Sequence, residues 1–142
     1  MDRLVTPFMP WHYEWLIAAR KSAEAWPVRL NSSMLEGIAA SNTWTAVVDG
    51  QPVAVAGTVK KWEGRHLAWA YIGDDCGPHM AWITRATRRN LASIGGRVEL
   101  TVRSDFEQGH RWARLLGFRV ETPRLEKFGP DGSDHTGYVR IN

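Results

Sequence analysis

The chain has 142 residues, of which 44% are hydrophobic, and this is long enough for one domain with its own core, over residues 1–142. The sequence has no apolar run that could span a bilayer, no signal-peptide pattern in residues 1–20, and no Cys/His spacing typical of zinc sites. Its single cysteine excludes an internal disulfide and fits a reducing compartment, while the net charge of +3 is a mild bias towards anionic partners.

The first elements are predicted from apolar spacing and capping residues. Arg3–Thr6 is an extended run that predicts a short strand, and helical spacing of apolar residues predicts a first helix over Pro10–Ala25. Ser33 and Glu36 form a capping-box pattern. This pattern predicts a second, short helix over Met34–Ala40.

Three β-rich runs follow, separated by turn residues. Thr43–Val48 and Pro52–Val59 flank an Asp-Gly pair at positions 49–50, which is the strongest short signal for a tight hairpin. A Glu-Gly pair at positions 63–64 predicts a second turn, before a third strand over His66–Ile72. We therefore expect three antiparallel strands before the central helix.

The central helix is predicted from a stripe of residues at three- and four-residue spacing: Met80, Ile83, Thr87, Leu91 and Ile94. Two glycines end it, and alternation predicts a strand over Arg97–Val102. We expect this strand to run parallel to the preceding one, because a helix-length crossover joins the two. A last helix over Phe106–Leu116 and closing strands over Arg119–Leu125 and Tyr138–Ile141 complete the chain.

This order of elements resembles that of the GNAT acyl-CoA N-acyltransferase superfamily over essentially the whole chain. Two local patterns add to the resemblance: the apolar hairpin Val47–Gly57 and the last helix running into Gly117-Phe118. The resemblance implies an α/β (α+β) fold with a mixed central sheet of about six strands flanked by about four helices, in which three antiparallel strands precede a parallel β-α-β unit.

The resemblance also implies where a cofactor would bind. Family members hold the CoA pyrophosphate on backbone N–H groups of a glycine-rich turn at the start of the central helix, and helix N-termini favour anions. The matching candidates here are Asp75, Cys76, Gly77, His79 and Met80. In this turn only Gly77 allows close approach, Pro78 lacks an N–H, and Asp74 and Asp75 add two carboxylates, so the residues disfavour CoA.

Each of these residues also has an ordinary structural interpretation. For Asp74 and Asp75 we favour helix N-capping, which Asp does well. For Cys76 we favour an inert thiol, because no histidine or acid spacing supports a nucleophilic dyad.

Two candidate bases, Glu99 and His66, lie on strands beside the presumed cleft, with Glu99 the better of the two, although the solvated face of a strand is the favoured interpretation. The resemblance implies an Asn and an acid Tyr on the last helix. The matching positions hold Phe106 and Ala113, and we expect His110 to lie on a different face of the helix from Ala113.

Four residues are candidates for binding a partner. Arg85, Arg88 and Arg89 share one face of the central helix, and Trp62 lies near a turn, where it is the tryptophan most expected to be exposed. A basic face on an amphipathic helix is more often only its solvent-exposed face, without a binding role. The other tryptophans are expected to lie mostly in the core.

Three functions follow, and the sequence leaves open whether the chain is an enzyme. A narrower resemblance, to internal virion proteins of short-tailed phages, implies a non-catalytic protein of virion structure or assembly. It would bind other phage or assembly proteins, need no cofactor, and reside in the virion or host cytoplasm.

The alternative is an active N-acetyltransferase that uses acetyl-CoA to acetylate an amine. A nucleic-acid-binding module using the basic helix is the weakest reading, because the net charge is only +3.

Overall fold

A seven-stranded mixed sheet and four α-helices make up the part of the chain that the computed structural model describes, residues 2–19 and 30–142. In chain order the elements are β1 (Arg3–Pro7), α1 (Pro10–Ala19), α2 (Ser32–Ala39), β2 (Asn42–Val48), β3 (Gln51–Trp62), β4 (Arg65–Ile72), α3 (Met80–Ala92), β5 (Arg97–Arg103), α4 (Glu107–Leu115), β6 (Arg119–Leu125) and β7 (His135–Ile141). The strand order in the sheet is β1-β2-β3-β4-β5-β7-β6. The predicted fold class is confirmed, with one strand more than expected.

The chain divides into two compact units, of which the first comprises Met1–Val59 with Ala68–Ile83, and the second Lys60–Leu67 with Thr84–Asn142. In the first unit β2 pairs antiparallel with both β1 and β3. Its core is an aromatic and aliphatic cluster: Phe8, Tyr13, Leu16, Leu35, Val55 and Tyr71. The single domain expected over residues 1–142 stays a prediction.

The β2–β3 hairpin turns where the sequence predicts it. Asp49 and Gly50 have φ angles of 49° and 81°, the left-handed pair that a type I′ turn requires and that Asp-Gly adopts at low cost. Gln51, the first residue of β3, pairs with Val48 across this turn.

Helix α1 begins at Pro10, as predicted, and is anchored by a buried histidine. The imidazole Nδ1 of His12 accepts the Met9 N–H at 3.0 Å and the Thr45 hydroxyl at 2.7 Å. Burial lowers the pKa of His12, which keeps the ring neutral and able to accept both bonds. The predicted continuation of this helix to Ala25 lies outside the described residues.

The capping box predicted for α2 is wrong. Asn31 is the N-cap, and its Oδ1 accepts the N–H of Met34 at 2.9 Å. Asn is among the best N-capping residues, so the helix begins at Ser32, earlier than the Ser33–Glu36 pattern predicts.

In the second unit, β4 pairs parallel with β5, which confirms the predicted β-α-β unit. The register joins Arg65 to Arg97, His66 to Val98, and Leu67 to Glu99. β7 then pairs antiparallel with both β5 and β6, and it begins at His135 rather than at Tyr138 as predicted.

The predicted stripe of α3 is confirmed. Ile83, Thr87 and Leu91 are buried, and Met80 and Ile94 are half-buried. Helical spacing alone therefore identified the inward face of this helix.

The tryptophans are less buried than predicted. Of those described, only Trp44 is buried, whereas three are exposed, by 51%, 42% and 59%: Trp11, Trp15 and Trp62. Trp11 and Trp15 lie one turn apart on α1, whose inward face is taken by His12, Tyr13 and Leu16. The prediction that Trp62 is exposed is confirmed, and Trp26 lies outside the described residues.

Candidate functional site

The turn after β4 does not have the helix cap that the sequence predicts. A short 3-10 helix over Gly77–His79 leads directly into α3, and its cap position is occupied by Cys76, whose side chain makes no capping hydrogen bond. The preferred interpretation of Asp74 and Asp75 as caps of this helix is therefore wrong. Both side chains are exposed.

Part of the backbone of this turn is free to bind an anion. The N–H groups of Cys76, His79 and Met80 are used within the turn, donating to the carbonyls of Gly73, Cys76 and Gly77 respectively. Within residues 2–19 and 30–142, no hydrogen-bond partner is found for the N–H groups of Asp75 and Gly77. Gly77 is exposed, and a Cβ added to it would meet nothing within 4 Å, so a ligand can approach its backbone.

His79 provides a second polar group at the same helix start. Its side chain is only 8% exposed, and its Nδ1 is buried without a hydrogen-bond partner among the described residues. Leaving a buried polar atom unpaired costs about 1–3 kcal/mol, so such an atom calls for a functional explanation.

The thiol in this turn is inert, in agreement with the sequence. Cys76 is 1% exposed, and its Sγ–H donates to the carbonyl oxygen of Val53 at 2.8 Å. Burial raises the pKa of Cys76 to about 12. The group therefore stays a thiol at neutral pH, and it is not a nucleophile.

Glu99 is clamped between two arginines in the second unit. Its carboxylate accepts two hydrogen bonds from Arg65, at 2.7 and 2.9 Å, and another from Nε of Arg97. The bonds from Arg65, reinforced by Arg97, lower the pKa of Glu99 from 4.5 to about 2. A general base works best with a pKa near the operating pH, so this geometry disfavours the predicted role of Glu99.

His66 lacks such a clamp. It lies on β4 in register with Val98, is half-buried, and has a buried Nδ1 without a hydrogen-bond partner in the described part of the chain. Its imidazole is therefore not committed to an ion pair. The choice between Glu99 and His66 as the base stays a prediction.

The faces of α4 also differ from the prediction. His110 and Ala113 are both buried, as expected of residues three apart on a helix, so they do not lie on different faces. The Nε2–H of His110 donates to the carbonyl oxygen of Ser104 at 3.0 Å, which leaves Nδ1 to accept the hydroxyl of Tyr138 at 2.7 Å.

Tyr138 contributes to a pocket that the sequence did not predict. With His110, it lines a pocket of about 270 Å³ that Glu107 and Arg114 also line. The sequence predicts Tyr138 to be in a strand. It has no local pattern that predicts the position of β7 beside β5, and this position brings Tyr138 to His110 of α4.

The predicted partner-binding residues fall on two different elements. Arg85, Arg88 and Arg89 are exposed on α3, as predicted. Trp62 ends β3, and the guanidinium of Arg65 lies 4.7 Å from the centre of its ring.

The described residues contain neither a membrane-spanning helix nor a cluster of metal ligands. None of their helices has the length and apolar character to cross a membrane, and their acidic, histidine and cysteine side chains form no group suited to a metal ion.

The sequence matches no protein-family model and no curated protein, whereas the fold matches many solved structures. Ard1 from Thermoplasma volcanium aligns over 99% of this chain and 98% of its own, with a TM-score of 0.76 and 15% identity. A GNAT-family acetyltransferase from Streptococcus pneumoniae aligns over 99% and 100%, with a TM-score of 0.75 and 15% identity. The ribosomal-protein-S5-alanine acetyltransferase from Vibrio fischeri aligns over 100% and 94%, with a TM-score of 0.78 and 11% identity. The chain therefore has the fold of the GNAT acetyltransferases.

Proposed function

We propose that the chain is an acyl-CoA-dependent N-acyltransferase that acylates an amine. The main support is the similarity to acetyltransferases over the full length of both chains, at TM-scores of 0.75 to 0.78. This similarity favours the alternative predicted from the sequence, an active N-acetyltransferase, over a non-catalytic virion protein. None of the structures compared above supports the phage virion hypothesis, so that hypothesis stays a prediction.

The start of α3 supports the proposal because its groups suit an anionic cofactor. The free N–H groups of Asp75 and Gly77 can donate to phosphate oxygens, and the helix dipole adds to this preference. Acyl-CoA, when bound, supplies the acyl group as a thioester.

The chain must also accept the proton that the amine loses on acylation. We assign this role to His66, because its imidazole makes no ion pair with any described residue, whereas Glu99 is held as a weakly basic carboxylate. The acceptor is an amine by analogy with the alanine named for the Vibrio fischeri enzyme and the spermidine named for another structural neighbour.

A thermal-shift titration with acetyl-CoA, followed by product analysis with a panel of amines, tests this function. Cofactor at one hundred times its dissociation constant should stabilise the fold by about 2.7 kcal/mol. ATP serves as a control for non-specific binding of a nucleotide polyanion. No shift at millimolar acetyl-CoA, together with no acylated amine, would refute the proposal.

We expect Asp75→Asn to tighten acetyl-CoA binding. The exposed Asp75 carboxylate lies in the turn that would receive the pyrophosphate, and repulsion between two unit charges 4 Å apart is about 1 kcal/mol when water fully screens them. Its removal should lower the dissociation constant roughly fivefold, as measured by calorimetry.

The matched control for this change is Asp105→Asn, which removes an equally exposed carboxylate that pairs with Arg103 before α4. It should leave the dissociation constant unchanged. Equal effects of both substitutions would mean that the turn after β4 does not bind the cofactor.

A further inference from the structure

Arginines of this chain fall into two groups, according to whether a carboxylate neutralises them. Four make hydrogen-bonded ion pairs with Asp or Glu: Arg65, Arg97, Arg103 and Arg124. Five on α3 and α4 make no such pair with any described residue: Arg85, Arg88, Arg89, Arg111 and Arg114. All five are exposed. The net charge of +3 is therefore unevenly distributed, because positive charge is concentrated on α3 and α4.

Two contacts place α3 and α4 side by side in the second unit. The Trp112 Nε1–H donates to the Thr84 hydroxyl at 2.9 Å, and Nη1 of Arg88 donates to the Leu115 carbonyl at 3.0 Å. Arg111 lies one helical turn before Leu115 and so on the same side of α4. We define the arginine surface as Arg85, Arg88 and Arg89 of α3 together with Arg111 of the neighbouring α4, all of which are exposed.

Local helix stabilisation explains only part of this surface. A cation in the last turn complements the helix dipole, which accounts for Arg89. Arg88 donates to the carbonyl of Leu115, the last residue of α4, and so stabilises the end of that helix. Arg85 and Arg111 lie outside the last turn of their helices and have no such role. Helix α3 contains no Asp or Glu at all, so repulsion among Arg85, Arg88 and Arg89 is not offset within that helix. Unpaired cations in this density attract a polyanion.

The remaining side chains of the surface indicate which polyanion it suits. Protein interfaces have an apolar and aromatic core, but Leu115 is the one large apolar side chain exposed on α3 and α4. Trp82 and Trp112 are half-buried, so they offer no exposed ring on which unpaired bases could stack. Interfaces with nucleic-acid duplexes are polar and strongly positive.

We propose that the arginine surface binds the phosphate backbone of double-stranded nucleic acid, without reading its sequence. Guanidinium groups match phosphate oxygens in geometry and stay charged at all relevant pH values. The expectation from the net charge, that nucleic acid is an unfavourable partner, is revised because the charge is concentrated on two helices. This proposal is independent of the acyl-transfer reaction.

The test is binding of labelled double-stranded DNA and RNA of mixed sequence over a series of salt concentrations. Each phosphate contact contributes about −0.9 to the log–log slope for DNA, so four contacts predict a slope of about −3 to −4. The variant with Arg85, Arg88 and Arg89 all changed to Gln should lose about 2 to 3 of that slope.

The matched control changes Lys60, Lys61 and Lys127 to Gln, which removes the same charge from exposed positions away from α3 and α4. It should leave the slope nearly unchanged, and thermal melts of both variants verify their folding. Equal slopes for the two variants, no binding at low salt, or equally tight binding of poly-glutamate would overturn the proposal; the last result would indicate an acidic protein partner.

Discussion

Replacing Gly96 by alanine is expected to lower the free energy of unfolding by about 3 kcal/mol. Gly96 has a φ of 87°, a left-handed conformation in which a Cβ is unfavourable. The added Cβ would also lie 2.7 Å from the carbonyl oxygen of Gly64 and 2.9 Å from its Cα. These are backbone atoms, which cannot rotate away as a side chain could.

Gly96 has this effect because it lies where α3 returns to the sheet. The next residue, Arg97, donates its N–H to the carbonyl of Gly64 at 2.8 Å, and Asn142 donates its N–H to the carbonyl of Gly96 at 2.9 Å. A backbone shift that relieves the clash therefore weakens two hydrogen bonds, the one at the start of β5 and the one that holds Asn142.

The neighbouring glycine is the control for this prediction. Gly95 has no atom within 4 Å of its would-be Cβ and no positive φ, so Gly95→Ala should change the free energy of unfolding by no more than about 0.5 kcal/mol. Urea denaturation of both variants measures the difference. A similar loss from both would show that Gly96 is not uniquely constrained.

Changing Glu99 to Gln is expected to lower the free energy of unfolding by about 2 kcal/mol at pH 7. The substitution keeps the size of the side chain but removes the charge that Arg65 and Arg97 share. Because the Glu99 side chain is only 18% exposed, solvent screens these interactions less than those of a surface pair.

The same ion pair predicts a pH dependence. The pKa of Glu99 is about 2 in the folded protein and 4.5 when unperturbed, so the unfolded chain takes up the proton first as the pH falls. The stabilisation is complete above about pH 4.5 and is lost as the pH falls towards 2. Chemical denaturation across this window should therefore show a shallower pH dependence for Glu99→Gln than for the unaltered protein.

Glu121→Gln is the matched control, since Glu121 binds one arginine, Arg97, among the described residues and its side chain is 39% exposed. It should have a smaller effect on stability.

Glu99→Gln should also retain acyltransferase activity at a temperature where it is folded. Loss of activity by a folded Glu99→Gln variant would restore Glu99 as the base in place of His66.

Much of the fold could be predicted because its signals are local. The Asp49-Gly50 turn depends on two residues that tolerate positive φ, and the buried stripe of α3 depends on apolar spacing along one helix. Strand β6 was predicted with its observed bounds, Arg119–Leu125. Such patterns are determined by residues close in sequence, so they can be read without knowing the tertiary contacts.

The chemistry of the candidate site could not be predicted in the same way. Arg65 and Glu99 are 34 positions apart, and His110 and Tyr138 are 28 apart, yet each pair shares a hydrogen bond. A pKa depends on which groups lie within a few ångströms, and the strand order β4-β5-β7 decides this.

For this protein, the sequence by itself determined the order of elements, their turns and the inward face of the central helix, because neighbouring residues fix backbone angles and periodicity. Only the tertiary structure decided that Glu99 is a clamped carboxylate, that the thiol of Cys76 is buried, and that the α3 and α4 arginines have no acidic partner in residues 2–19 and 30–142. Those properties depend on pairings between distant strands and helices, which residue spacing does not specify.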